Sequence, residues 1–381
     1  MLKIKNARAV LDSAVKDTNI YVEGGKIVCL DEADLPADEV IDAAGRYVAP
    51  GFIDTHVHGG GGVDYMGDAE AFRRASALHL AHGTTTILPT TYAASFDMLK
   101  RAIEIFKSLA SEAGKGCLPN MPGMHLEGPY FSPAQAGAQP PAYIYPPRPD
   151  EYRELIAIAE GAIAKWSFAP ELPGSVEFCD TLTQNGILPS IAHTDATYED
   201  VVRAFEHGAR CLTHFYSSMT TVTRRSGFRI PGVIEAGYLL DEMWVEVIGD
   251  GCHLPEQLLK MILKVKGPHR IMTVTDAIAP AFLPEGASYP GHVIEQGVAK
   301  VPDRSCFAGS IASTDRIVRT MVKLAGCDLP TAVRMMTKNP ATYLGLRTKG
   351  SLLAGYDADL VFFGEDITVD TVMLGGRVVT F

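Results

Sequence analysis

Basic residues are in deficit in this chain. Thirty-four Lys and Arg face 45 Asp and Glu in 381 residues, a formal net charge of −11. That balance disfavours nucleic acid and anionic membrane as bulk partners, and an anionic ligand would need a local basic pocket. Cysteine is sparse and scattered: Cys29, Cys117, Cys179, Cys211, Cys252, Cys306 and Cys327 are odd in number and form no Cys-x-x-Cys pair. The pattern excludes a disulfide framework and points to reduced, mostly buried thiols. No uninterrupted apolar run reaches the ~20 residues of a membrane span, and MLKIKNARAV lacks an apolar core of signal-peptide length, so the cytoplasm is the expected compartment. Internal repeats, charge blocks and low-complexity tails are absent as well. What remains, 47% hydrophobic and 21% charged, is a globular composition with enough apolar material for a large core.

The first fifty residues read as short strands, with a hairpin turning at Gly24 and Gly25. From Pro50 onward the pattern becomes strand then helix, and it repeats. Strand-like segments fall at 52–58, 84–91, 121–127, 165–171, 187–193, 210–215, 244–250 and 270–276. Amphipathic segments of helical period, such as 69–83, 96–113 and 198–208, lie between them. Eight β elements alternating with helices predict an α/β fold, a TIM-like (β/α)8 barrel over 51–345. After Gly345 the text returns to strands and turns. Neither end has enough apolar surface for a core of its own, so 1–50 and 346–381 are expected to build one small β-sandwich domain together. Three long insertions, 128–149, 215–230 and 277–312, fall on the rim where such barrels keep binding loops.

His56, His58, Glu127, His193, His214 and Asp276 end successive apolar, β-branched runs. His56 and His58 are two apart on a strand, so both face the barrel interior at its mouth. A lone His-x-His is equally a pair of core histidines, but six ligand-type residues at matching strand ends favour a metal centre. Imidazole and carboxylate donors suit zinc or iron better than calcium or magnesium. Such an ion lowers the pKa of its water to roughly 7 and polarises a carbonyl, which makes amide hydrolysis the natural use. His79, His82 and His207 sit on predicted outer helices and read as capping or surface residues. His125, one layer below Glu127, reads as support for the ligands. Cys252 reads as a small buried thiol, and glycines 59 to 62 as a close approach of backbone to substrate.

The segments APGFIDTHVHGGGGVDYM, HGTTTILPTT, HLEGPYFSP, AHTDAT, THFYSSM, DGCH and VTDAIAP resemble the amidohydrolase superfamily, in its N-acetylglucosamine-6-phosphate deacetylase branch, over essentially the whole chain. HLEGP and VTDA are the specific parts. The resemblance implies a metal-dependent deacetylase that releases acetate from an N-acetyl amino sugar. Glu127, His193 and His214 would hold one divalent ion, zinc or iron. His56 and His58 would hold a second, with Glu127 bridging, so each subunit carries one or two. Asp276 would be the general base, passing a proton from water to the leaving amine. His253 would bind the sugar or its phosphate, and the protein would be a homodimer that borrows an arginine across its interface.

The sequence departs from that branch where substrate is bound. Gln139 stands where a histidine commonly contacts substrate near the scissile carbonyl; glutamine can donate a hydrogen bond but carries no charge. Ser217 and Ser218 replace an Asn-Ala pair that helps bind phosphate, and Arg229-Ile230-Pro231-Gly232 replaces Arg-Glu-Pro-Gly. Arg224, Arg225 and Arg229 offer guanidinium forks for a phosphate clamp, or equally a solvated basic loop. The expected substrate is N-acetylglucosamine 6-phosphate, with a non-phosphorylated or differently acylated amino sugar as the alternative. An amidohydrolase of cyclic amides or exocyclic amines is a further class; Glu127, where the cyclic-amide enzymes carry a carbamylated lysine, counts against it. A non-catalytic binding barrel is the remaining one.

Overall fold

The computed structural model describes residues 1–31, 34–284 and 286–381. Each of the eight expected strands of the central region is present, as Phe52–Val57, Thr84–Pro89, Met124–Glu127, Ile163–Phe168, Leu188–Ile191, Cys211–Leu212, Trp244–Ile248 and Ile271–Val274. The last six form one parallel sheet in sequence order, and the first two pair in parallel with each other. Parallel bridges Thr86↔Asn120 and Thr90↔His125 join the second strand to the third, and Val57↔Ala277 joins the eighth to the first. Asp276 N–H donates to His56 O at 2.9 Å, and the Thr275 hydroxyl reaches buried Asp54 at 2.5 Å across the same junction. Burial pushes the Asp54 carboxyl up to about 7 despite that hydrogen bond. These strands are buried along nearly their whole length, as expected where helices cover a parallel sheet.

The helices begin where short polar side chains can cap them. Asp68 accepts from Ala71 N–H ahead of Ala69–Ala81, and Ser95 from Met98 N–H ahead of Phe96–Leu109. Thr197 and Asp200 form a reciprocal capping box at Tyr198–Glu206. The helix expected over 96–113 stops at Leu109 and gives way to a turn through Gly114, whose φ of 73° suits glycine.

The two ends of the chain meet in one eight-stranded sheet. Leu2–Val10, Val15–Glu23, Lys26–Asp31, Glu39–Asp42 and Tyr47–Pro50 come from the front, and Leu360–Phe363, Val369–Leu374 and Arg377–Val378 from the back. Asn6, at φ 55°, breaks the register of the first strand, which therefore pairs with Glu39–Asp42 through Leu2–Lys5 and with Tyr47–Pro50 through Arg8 and Ala9. Phe362, Leu360, Ile4, Ile20 and Val48 are fully buried in a core of their own. The insertions carry local structure: two 3-10 turns at Pro133–Gln135 and Pro141–Tyr143, a hairpin of Thr223–Arg225 with Phe228–Ile230, and a three-stranded sheet at Val293–Glu295, Val298–Lys300 and Phe307–Ser310.

The cysteines are free, but only Cys179 and Cys211 are buried; Cys117 is exposed and the rest are intermediate. The expectation of mostly buried thiols is corrected accordingly, since Cys29, Cys252, Cys306 and Cys327 lie on edges and loops that only partly cover them.

Lys165 and Glu246 are fully buried and form a salt bridge between the fourth and seventh strands. Thr55 donates to the same Glu246 oxygen at 2.6 Å, and Lys165 reaches Thr55 O at 3.4 Å. Burial works against the charged Glu246, yet the Lys165 ammonium and His56 outweigh it and bring the carboxyl down to about 2. Removing one partner strands a buried charge, which costs about 3–5 kcal/mol, whereas replacing both with apolar residues is often neutral. Urea denaturation should therefore show Lys165→Met strongly destabilised and Lys165→Met/Glu246→Leu largely restored. A single variant as stable as the parent would show that the pair does not support the centre of the sheet.

Candidate active site

The eight strands bring the predicted ligands to one end. His56 is the next-to-last residue of the first strand, with His58 just beyond its end. Glu127 ends the third, and His193, His214 and Asp276 each follow a strand by two residues. Those last three have left-handed backbone, at φ 45°, 34° and 48°. A non-glycine residue held there costs on the order of 1–3 kcal/mol, and such strain concentrates where side-chain aim matters more than backbone comfort. All six side chains are buried.

They form two triads: Glu127, His193 and His214 in one, His56, His58 and Asp276 in the other, each with ligand atoms within 4.8 Å of one another. Glu127 Oε1 lies 2.9 Å from His214 Nε2, 3.4 Å from His193 Nε2 and 3.5 Å from His56 Nε2. Its Oε2 lies 3.4 Å from His58 Nε2. Asp276 Oδ1 is 3.2 Å from His58 Nε2 and 3.4 Å from His56 Nε2. His56 Nε2 and His58 Nε2 are 3.1 Å apart, and His193 Nε2 and His214 Nε2 3.2 Å. Glu127 thus touches both triads.

The donor set fits a divalent cation. His193 Nδ1–H donates to Gln135 O at 2.8 Å, which leaves its Nε2 as a lone pair aimed at the centre. Four imidazole Nε2 atoms and two carboxylates crowding together would repel through their lone pairs unless a proton or a cation lies between them. Burial opposes ionisation of Glu127, but the surrounding imidazoles outweigh it and hold the carboxyl well below its ordinary range; Asp276 is lowered for the same reason by His56 and His58. Oxygen and imidazole donors of this kind suit zinc or iron.

Beneath the triads lies a polar layer. His125 Nε2 meets Ser167 Oγ at 2.7 Å, Ser167 meets Thr213 at 2.9 Å, and Thr213 meets Ser190 at 2.5 Å. The His125 ring stands edge-on to His56 at 4.7 Å between centroids and packs directly against that imidazole. Burial, and then the Lys165 ammonium, push the His125 imidazole well below its ordinary value and keep it neutral.

A cavity of about 300 Å³ opens above the triads. Its wall includes Glu127, His58, His193, His214 and Asp276 together with Gln139, Ser217, Ser218 and His253, four of the residues expected to bind substrate. His253 is fixed by Asp250, whose carboxylate accepts from its Nδ1 at 2.7 Å. Gln139 donates from its amide nitrogen to Glu127 Oε2 at 2.6 Å, so it touches the ligand set as well as the cavity.

Arg224, Arg225 and Arg229 do not join them. All three are exposed, on the hairpin Thr223–Ile230, and no Lys or Arg among the described residues lines the cavity. The expected clamp is thus not assembled within one subunit, because the hairpin pairs only with itself and projects into solvent. The cavity instead gains Tyr216, Leu254, Leu258, Cys306 and Phe307. Nothing in the sequence pattern marked these: Tyr216, Leu254 and Cys306 sit on loops with no period to read, and Leu258 and Phe307, on a helix and a short strand, carry no mark of which element they will face.

Other expectations need correction. His79 is completely buried rather than at the surface: Nε2 meets Gly59 O at 2.9 Å, and burial pushes the imidazole down to about 4. His82 caps its helix end and approaches Asp315 at 3.5 Å, and His207 meets Asp180 at 2.8 Å. Glycines 59 to 62 pack against the protein's own loop, with Gly61 and Gly62 N–H donating to Ala281 O and Ala279 O. A Cβ on Gly59 would lie 2.3 Å from Val63 O, so the close approach is to backbone and not to substrate. Cys252 is only partly buried, its thiol reaching Gln296 O.

A family model described as the amidohydrolase family matches residues 47–379. The chain is 32% identical to an N-acetylglucosamine-6-phosphate deacetylase of Lysinibacillus sphaericus, over 94% of this chain and 92% of that one. It is 30% identical to an N-acetylgalactosamine-6-phosphate deacetylase of Escherichia coli O157:H7, over the whole of both. Among solved structures, an aspartate-to-alanine variant of N-acetyl-D-glucosamine-6-phosphate deacetylase from Mycobacterium smegmatis, in complex with N-acetyl-D-glucosamine-6-phosphate, superposes with a TM-score of 0.89 at 30% identity, covering 100% of this chain and 99% of that one. With its parallel strands, its ligand triads at their C-terminal ends and a match over most of its length, the chain belongs to the amidohydrolase family and is a hydrolase acting on an amide.

Proposed function

We propose that this protein removes the acetyl group from an N-acetyl amino sugar, N-acetylglucosamine 6-phosphate in the first place, to give the free amine and acetate. The observation that carries the reading is the pair of buried triads sharing Glu127 on the floor of a cavity at the low end of the size range of small-molecule sites. The names of the full-length relatives supply the substrate class. We read the eight parallel strands as a closed (β/α)8 barrel over 51–345, with 1–50 and 346–381 as a β-sandwich domain. The end-to-end bridges and the shared terminal sheet support that division. We take the cofactor to be zinc or iron, one or two ions per subunit, and the protein to be a cytoplasmic homodimer. No helix among the described residues is long and apolar enough to cross a membrane.

Glu127, His193 and His214 would hold one cation, and His56, His58 and Asp276 with Glu127 a second. A cation of this kind supplies Lewis acidity toward the acyl oxygen and makes water a nucleophile near neutral pH. The remaining work falls to side chains. Asp276 accepts the proton of the attacking water on its carboxylate and delivers it to the amide nitrogen as the C–N bond breaks, because an amine leaves only when protonated. His253, held by Asp250, and Ser217 and Ser218 offer polar contacts to the sugar. Asp276→Asn should keep the ion of Glu127, His193 and His214, measured by elemental analysis, while losing at least about a hundredfold in kcat. A rate near that of the parent would remove Asp276 from the role of base.

The cavity wall favours a second reading of the substrate. Lacking Lys and Arg, it presents a neutral and partly apolar far side of Leu254, Leu258 and Phe307. A 6-phosphate then depends on Arg224, Arg225 or Arg229 arriving from a second subunit. Acetate release should be measured on N-acetylglucosamine and N-acetylgalactosamine with and without the 6-phosphate. The phosphorylated sugars should have kcat/KM at least tenfold higher, and Arg229→Ala should erase most of the difference. Equal or better turnover without phosphate would select the neutral sugar and leave the three arginines as a solvated hairpin.

A further inference from the structure

Gln139 is bound at both ends of its amide. Its Oε1 accepts from Ala93 N–H at 2.8 Å, which fixes the orientation of the group and turns the amide nitrogen toward Glu127 Oε2, 2.6 Å away. Glu127 is fully engaged in consequence. Oε1 faces His214 and His193, and Oε2 faces His58 and the Gln139 amide. The same loop also holds a second member of that triad. Gln135 O accepts from His193 Nδ1–H, Ser132 N–H donates to His193 O at 2.9 Å, and Gln135 Nε2 donates to Asp195 at 3.1 Å. The loop is tight: Gly137, at φ 57°, would place a Cβ 2.9 Å from Ser218 Oγ and 3.5 Å from His193 Cε1.

We infer that Gln139 is a positioning residue of the metal centre: its amide, anchored on Ala93, sets the rotation of the carboxylate that both triads share, and the segment 132–139 acts as an outer strap over Glu127 and His193. The inference deepens the two-triad reading of the cavity floor and rests on it. A carboxylate that must face two directions has a soft terminal torsion, so its orientation is broad unless a neighbour fixes it. Outer partners of this kind typically contribute 10–100-fold to metal affinity. A glutamine performs this task without a proton to lose, because its amide stays neutral across the working pH range. The position is thereby committed to the ligand set, and polarisation of the acyl oxygen falls to other groups.

The test measures metal affinity directly, by zinc competition with a chromophoric chelator, on the full-length protein and two variants. Gln139→Met keeps the length of the side chain and removes both polar ends. Gln139→Asn keeps the amide but is too short to span Ala93 and Glu127. Circular dichroism and thermal melting establish that each variant is folded, and the variant that folds is the one read. Both variants should bind zinc 10–100-fold more weakly than the parent, with KM for the N-acetyl amino sugar within about twofold once metal is saturating. Zinc affinity within about twofold of the parent overturns the assignment. A tenfold rise in KM at saturating metal overturns it too, since Gln139 would then be a substrate contact. If the parent itself binds no zinc, the reading of the cavity floor fails and the inference fails with it, an outcome distinct from either of the others.

Discussion

Mutual repulsion among buried lone pairs is the constraint on which this structure turns. Four imidazole nitrogens and two carboxylates occupy a space in which neighbouring ligand atoms are 2.9–3.5 Å apart, with almost no exposure to water. Burying such groups is costly unless each is paired, and six acceptor-rich groups cannot pair among themselves. A cation between them would resolve the conflict, and the surrounding structure holds the donors in place. Left-handed backbone at His193, His214 and Asp276 aims three of them, the loop 132–139 holds Glu127 and again His193, and His125 packs against His56.

Support for the ligands extends downward through the interior of the parallel strands. The ordinary filling of such an interior is branched apolar side chains. Here a salt bridge of Lys165 with Glu246, and a chain of His125, Ser167, Thr213 and Ser190, replace part of that filling. Thr55, Lys165 and Glu246 link the first, fourth and seventh strands, and His125, Ser167, Ser190 and Thr213 link the third to the sixth, so the layer ties strands together across the interior. Glu246 Oε2 lies 3.7 Å from His56 Nδ1, which places a negative charge behind a ligand whose other nitrogen faces the centre. The chemistry at the mouth and the polar core below it are therefore one construction, and a change in either is felt by the other.

Much of this was legible in the chain. Strands buried on both faces read as continuous apolar, β-branched runs, and their ends located the six ligand-type residues because position on a strand fixes direction. The pairing of Lys165 with Glu246 was not legible, since period-two patterning shows that a residue is inside but not which one it meets on a strand about eighty residues further along. His79 misled because a histidine on an amphipathic helix carries no mark of which neighbour will bury it; the Gly59 carbonyl decided the matter. The arginines at 224, 225 and 229 read equally as a phosphate clamp or a solvated loop, because charge type alone does not show where a hairpin will project; within one subunit that hairpin pairs with itself and leaves them exposed. Gln139 stood out as a departure, but its bond to Glu127 depends on the path of an irregular loop.

The most direct measurement is X-ray absorption at the zinc edge of the purified, zinc-loaded protein. Nitrogen and oxygen scatterers at about 2.0–2.1 Å, with the outer-shell signature of at least two imidazoles and no sulfur near 2.3 Å, are the predicted result. A sulfur shell, or a first shell without histidine, would contradict the convergence of His193, His214 and Glu127 on one ion.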